Sequence, residues 1–192
     1  EAVTLDPASA RARNGLAMTL LRHGERAEAK HHLLEAVRIR PGYIQARNNL
    51  ALFYQQEGNP DSALVQLQAV ILLNPRDSFA HRGIADAATD RGDFQDAAEH
   101  YKAAWKSGVL DKQLMSRWAN ALMQLGDLKG ALEVNSLLLQ SQPGDTRIML
   151  NQARLLAAAD SIDAAVTQLQ AILQIDPGNE NAQQLLAELQ NR

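Results

Sequence analysis

A repeat period of 34 residues constrains the fold of this chain more than any other feature. One glycine series and two alanine series share the period, and so does a series of prolines. The members are Gly24, Gly58, Gly92 and Gly126; Ala17, Ala51, Ala85, Ala119, Ala153 and Ala187; Ala29, Ala63, Ala97, Ala131 and Ala165; and Pro7, Pro41, Pro75, Pro143 and Pro177. Several series with one period indicate internal repeats, which take precedence over the usual count of domains from chain length.

Breakers and caps divide each period into two helices. The glycine ends the first helix, because a left-handed residue caps the last carbonyls at little cost, and the proline ends the second. Residues with a side-chain oxygen are placed to cap the second helix, namely Asn59, Asp93, Asp127 and Ser161. A second set is placed to cap the next first helix: Ser9, Asp77, Asp111, Asp145 and Asn179. The alanines leave room for close helix contacts, so we predict an all-α fold of antiparallel helix pairs.

Composition excludes several classes of site. The chain has no cysteine, which removes disulfides, thiolate metal sites and cysteine nucleophiles. Its formal net charge of -3 provides no basic field for a phosphate backbone, so we expect no nucleic-acid partner. The apolar runs are too short to span a bilayer, and we expect no membrane insertion by these residues. The compartment stays open, because cytoplasm and periplasm are both compatible with this composition.

These features resemble the tetratricopeptide repeat family, whose repeat unit is a helix–turn–helix of about 34 residues. The resemblance implies an α–α superhelix, a solenoid with full repeats at 10–43, 44–77, 78–111, 112–145 and 146–179. Residues 1–9 match the end of a preceding repeat, and 180–192 match a capping helix or the first helix of a sixth. We therefore interpret the sequence as part of a longer array, and we expect a bacterial source.

Some positions depart from the family pattern. Gly108 and Val109 replace the closing Asp-Pro of the third repeat and suggest a looser junction. Trp105 and Trp118 flank that junction, and we interpret both as packing that fills it. Polar residues stand at two positions that are apolar in most of the other repeats, namely Asn135 and Gln152.

No constellation of catalytic or metal-binding residues is recognisable in the sequence. His31 and His32 are adjacent on one helix and so point in different directions, while His32 and His100 lie two repeats apart. Asp93 and Asp96 lie near a helix start, where carboxylates favour the dipole. We therefore predict a protein that is not an enzyme and that uses no cofactor and no metal.

The resemblance implies that the first helix of each repeat lines a concave groove that contacts peptides. The candidate groove residues are Asn48, Asn49, Arg82, Arg117, Asn120, Arg147, Asn151 and Arg154. Arginines beside amides suit carboxylates and extended backbone, so we expect a scaffold that binds an acidic or C-terminal peptide of a protein partner. The competing interpretation is solvated arginines, partly neutralised by neighbours such as Asp86. The family's clamp for chaperone tails is not matched here.

Two other functions stay open. The first is an assembly or self-association module forming a homo-oligomer, because 63–73 is unusually apolar and an exposed stripe there would mark an interface. The second is an accessory repeat region of a larger enzyme, or of a bacterial secretion, pilus or exopolysaccharide system.

Overall fold

The computed structural model describes residues 9–108 and 111–191, and within them the chain forms helices and no strand. Residues 1–8, which the sequence assigns to a preceding repeat, and Val109 of the third junction lie outside the described residues. The helices are α1 Ala10–Arg22, α2 Arg26–Ile39, α3 Ile44–Gln56, α4 Pro60–Leu73, α5 Ser78–Asp90, α6 Phe94–Lys106, α7 Lys112–Gln124, α8 Leu128–Ser141, α9 Thr146–Ala158, α10 Ile162–Ile175 and α11 Glu180–Gln190.

Side-chain caps begin most of these helices. The caps predicted for the first helices all form, since each of these side chains accepts a backbone N–H from the first turn: Ser9, Asp77, Asp111, Asp145 and Asn179. Among the second helices, Asn59 and Asp127 cap in the same way. Asp93 and Ser161 make no such bond, so the prediction was wrong for these two. Those helices form without it because packing of an amphipathic face supplies most helix stability.

Left-handed residues end the first helices. Gly24, Gly58, Gly92 and Gly126 have positive φ, as the turn requires. Asp160 takes the same conformation, with φ 57°, in the turn where the fifth period lacks the glycine.

Two compact units divide the chain, one of residues up to Ala87 and one from Ala88 onwards. In the first unit α1 packs against α2, α2 against α3, and α3 against α4. Its core is formed by alanines of the two series together with larger side chains such as Leu33, Leu50 and Leu67. The helix pairs therefore pack in series, each burying the apolar face of the previous one.

The second unit follows the same plan from α6 to α11. Alanines of both series are buried here too, and the exception is Ala187 on α11, which is exposed. The contact between α8 and α9 contains a polar pair: Asn135 Nδ2 donates to Gln152 Oε1 at 2.6 Å and to the Ile148 carbonyl at 3.2 Å. Gln152 Nε2 in turn donates to Ser136 Oγ at 3.3 Å. The two departures from the family pattern are thus hydrogen-bonded partners.

Candidate functional site

Four of the predicted groove residues line one pocket between α7 and α9. This pocket, called the basic pocket below, has a volume of about 340 Å³. Arg117 and Asn120 reach it from α7, and Asn151 and Arg154 reach it from α9. The sequence did not single out its other lining residues, which are Ser116, Ala119, Met123 and Leu155. The four polar residues that were chosen by their position within the repeat therefore lie close together in the structure.

The chemistry of the basic pocket suits an anion. Its lining holds two guanidinium groups and no carboxylate. An arginine presents a rigid fork of N–H donors that matches a carboxylate, and an asparagine amide can both donate to and accept from a peptide group. The volume lies at the low end of the range of about 300–1,000 Å³ that is usual for ligand pockets. The pocket is therefore large enough for a short part of a segment, such as one carboxylate with its adjoining backbone.

An ion pair ties the two helices of the pocket together at their N-terminal ends. Lys112 Nζ of α7 donates to Asp145 Oδ2, while Asp145 Oδ1 caps α9 by accepting from the Arg147 backbone N–H at 3.0 Å. The Lys112 hydrogen bond and the backbone N–H bonds lower the pKa of Asp145 below its usual value. This carboxylate therefore stays ionised at neutral pH and holds α7 against α9.

Arg147 does not line the basic pocket, although its helix does. Its side chain is 84% exposed, and its Nε lies 3.6 Å from Asp145 Oδ1. Arg147 and Arg154 are therefore arginines of the same helix, of which only Arg154 lines the basic pocket. Arg147 provides a matched control for Arg154.

The candidate residues of the first unit bond to other side chains of that unit. Asn49 Nδ2 donates to Asn14 Oδ1 at 2.8 Å, which joins α3 to α1. Asn48 Nδ2 lies 3.5 Å from Asp77 Oδ1. Arg82 Nε lies 3.9 Å from Asp86 Oδ2. These three candidates therefore contribute to contacts within the unit.

The apolar second helix of repeat two carries an exposed stripe. Val65 is 59% exposed and Leu72 is 86% exposed, and they lie two helical turns apart on α4. Leu73 beside them is also exposed. An apolar stripe of this kind is unusual on a solvated helix and marks a candidate interface.

The histidines lie in ordinary packed or solvated settings. His81 is buried, and its Nε2 lies 3.0 Å from the Pro75 carbonyl oxygen. Burial and the neighbouring Arg13 guanidinium lower the pKa of His32. Across residues 9–108 and 111–191 no group of three or more potential ligands is placed to hold a metal ion. The same residues include no helix that is long and apolar enough to cross a bilayer.

Comparisons with known proteins agree with this architecture. Family models described as Tetratricopeptide repeat match residues 9–40, 48–108 and 122–189. Sequence comparison with curated proteins gives no match. The fold defines an all-α repeat protein of antiparallel helix pairs. The chain belongs to the tetratricopeptide repeat family.

Solved structures show the same fold at low sequence identity. YrrB, described as a TPR protein with an unusual peptide-binding site, matches with TM-score 0.83 and 15% identity, covering 96% of this chain and 95% of its own. MamA matches with TM-score 0.77 and 15% identity, over 88% and 92% of the two chains. The APC/C hetero-tetramer Cut9-Hcn1 gives TM-score 0.64 and 22% identity, over 97% of this chain and 37% of the other. Such identities establish the fold alone.

Proposed function

We propose that this chain is a protein-interaction scaffold whose basic pocket binds an acidic segment or a free C-terminus of a protein partner. The family and the fold support an interaction scaffold in general. The observation that carries the finer proposal is the convergence of Arg117, Asn120, Asn151 and Arg154 on one cavity without a carboxylate. An anion placed between the Arg117 and Arg154 guanidinium groups is attracted by both of them, so an anionic ligand is the occupant that this lining favours.

The amides define the form of the ligand. Asn120 and Asn151 each offer two donors and an acceptor, which is the complement of a peptide group in extended conformation. A carboxylate on Arg154 with adjoining backbone on the two amides uses all of these groups at once. This arrangement favours a peptide over a small inorganic anion, because a peptide N–H can donate to the amide oxygens of Asn120 and Asn151, whereas a fully ionised inorganic anion offers them no donor.

Selection from a display library of short random peptides tests the proposal. Peptides selected by the wild-type chain should be enriched in Asp, Glu or a free C-terminus. Arg154→Glu should lose that enrichment, whereas Arg147→Glu, with the same change of charge on the same helix, should keep it. A composition without acidic enrichment, or equal loss in both variants, would refute the basic pocket as the binding site.

A direct affinity measurement then gives the magnitude. For a selected peptide, Arg154→Glu should raise Kd by at least about tenfold, because a hydrogen bond to a charged group contributes about 1.5–3 kcal/mol. Amidating the C-terminus of the peptide distinguishes its terminal carboxylate from its acidic side chains. Fluorescence anisotropy of a labelled peptide measures both effects.

The stripe on α4 supports a second candidate function, self-association of the chain. No charged residue occurs between Asp61 and Arg76, so two copies of this helix can approach without like-charge repulsion. Light scattering should then show a mass that rises with concentration, and Leu72→Lys should abolish the rise. Leu34→Lys, on an exposed leucine of α2, is the matched control. A mass independent of concentration in the wild type would contradict self-association.

A further inference from the structure

A second cavity lies on the side of α7 that faces α6 and α8. It has a volume of about 570 Å³ and is called the acidic groove below. From α6 it is lined by Gln95, Glu99, Lys102 and Trp105, which follow one face of that helix at spacings of three and four residues. These positions extend over ten residues, or about 15 Å of helix. The groove is therefore long enough for nearly three turns of a bound helix lying along α6.

The floor of the acidic groove is apolar and aromatic. The rings of Trp105 and Trp118 lie 5.6 Å apart, and Trp118 is buried. Leu125 and Leu137 also line the groove and remain 41% and 39% exposed. Large apolar side chains left exposed beside an aromatic floor are the usual mark of a binding surface. The tryptophans therefore have packing roles and also form the wall of an open groove.

The charged residues around this floor are mostly acidic. Glu99, Asp127 and Glu133 line the groove against one amine, that of Lys102. Asp127 Oδ1 accepts from the Gly130 N–H as the cap of α8, and Glu99 accepts from Gln95 Nε2 at 2.8 Å. Glu133 has no ion-pair partner in the described part of the chain. The groove thus combines an apolar floor with an excess of carboxylates.

We propose that the acidic groove binds an amphipathic helix of a protein partner, with apolar side chains towards Trp105 and Trp118 and Lys or Arg beside Glu99 and Glu133. Helices in grooves use apolar anchors at i, i+3, i+4 and i+7, which match the length and the apolar floor of this cavity. The excess of carboxylates selects a basic segment, because unlike charges attract across the rim and like charges repel. The proposal concerns a different cavity and the opposite charge from the basic pocket, so it stands independently of the proposed function.

Intrinsic fluorescence reports directly on this cavity. The chain contains two tryptophans, and both line the acidic groove. The probe is a helical peptide without tryptophan, with leucine at i, i+3, i+4 and i+7 and lysine elsewhere, and its partner peptide has glutamate in place of lysine. The lysine peptide should change tryptophan emission in a saturable way, and the glutamate peptide should not. An equal response to both peptides, or no saturable response to the lysine peptide, would overturn the proposal.

Variants with altered charge then test whether the lysine peptide binds at the acidic groove. Glu133→Lys should weaken binding of the lysine peptide by about fivefold, because it replaces a rim attraction with a repulsion. Glu188→Lys makes the same change on α11, outside the groove, and should alter Kd by less than about twofold. Circular dichroism checks that both variants remain helical. Equal weakening by the two variants contradicts binding at the groove.

A second copy of the chain is the competing occupant. If light scattering of the chain alone shows dimers that Glu133→Lys dissociates and Glu188→Lys leaves intact, the groove is occupied by another copy. That result would overturn the assignment to a partner's basic helix. If instead the tryptophan emission does not depend on the concentration of the chain, the result supports the assignment of the groove to a partner's basic helix.

Discussion

The two faces of α7 line cavities that differ in charge and in the residues that form their walls. On one face, Ser116, Arg117 and Asn120 line the basic pocket together with α9. On the other face, Trp118, Leu122 and Leu125 line the acidic groove together with α6 and α8. Residues two apart on a helix point in directions about 200° apart, so Ser116 and Trp118 lie on opposite sides. One helix can therefore contribute walls to two cavities of opposite charge.

Because of this difference, substitutions on the two faces should have different effects on ligand binding and on the stability of the fold. The basic pocket has several polar side chains in its lining, two of which, Asn120 and Arg154, are exposed. The acidic groove is floored by Trp118, which belongs to the buried core of the protein. Substitutions on the basic face should therefore change binding and leave the fold intact. Those on the floor of the acidic groove should change both.

The largest effect should come from Trp118→Ala. Removing a buried aromatic side chain lowers the free energy of unfolding by about 3–5 kcal/mol, through lost burial and the cavity left behind. Asn120→Ala, two residues away on the basic face, should change it by less than about 0.5 kcal/mol. Chemical denaturation measures both. Similar losses of unfolding free energy in Trp118→Ala and Asn120→Ala would show that the acidic-groove face contributes no more to stability than the basic face does.

A smaller effect should come from the polar pair that links α8 to α9. Asn135 follows Val134 of the acidic groove on α8, and Gln152 follows Asn151 of the basic pocket on α9. Gln152→Leu alone should lower the free energy of unfolding by about 1–3 kcal/mol, because Asn135 is buried and loses an acceptor for its amide.

The double variant Asn135→Leu/Gln152→Leu tests the same contact by removing both hydrogen-bonding partners at once. It should recover most of the loss, because replacing both partners with apolar groups leaves no amide unsatisfied. A double-mutant cycle in denaturant measures this coupling. If the losses of the single variants Asn135→Leu and Gln152→Leu simply add in the double variant, the hydrogen bond between α8 and α9 does not contribute as the geometry suggests.

The smallest effect should come from the ion pair at the start of the basic face. Asp145→Asn keeps an oxygen to cap α9 but loses the attraction to Lys112, so the free energy of unfolding should fall by about 0.2–1 kcal/mol. Because the pKa of folded Asp145 is lowered, its contribution is present above the unfolded value of about 3.9. That contribution is lost as the pH falls through the folded pKa.

Denaturation of wild type and Asp145→Asn at several pH values checks this. The difference between the two should be constant from pH 7 to about pH 5 and should shrink below about pH 4. A difference that grows on acidification has the wrong sign for a carboxylate with a lowered pKa.

The sequence predicted the helix pairs because caps, glycines and alanines act locally, through bonds and contacts a few residues apart. It also named Arg117, Asn120, Asn151 and Arg154, since position within a repeat fixes which helical face a side chain occupies. It did not reveal the acidic groove. That cavity depends on how far Leu125 and Leu137 remain uncovered by neighbouring helices, and this is a property of packing. Nor could spacing alone show that Asn135 and Gln152 bond to each other.

Amide NMR of the chain, titrated with an acidic peptide selected by the wild type, tests the central claim most directly. The side-chain amides of Asn120 and Asn151 and the backbone around Arg117 and Arg154 should shift most. The indole N–H signals of Trp105 and Trp118 should stay in place. Largest shifts at the indoles, or on α4, would contradict the assignment of peptide binding to the basic face of α7.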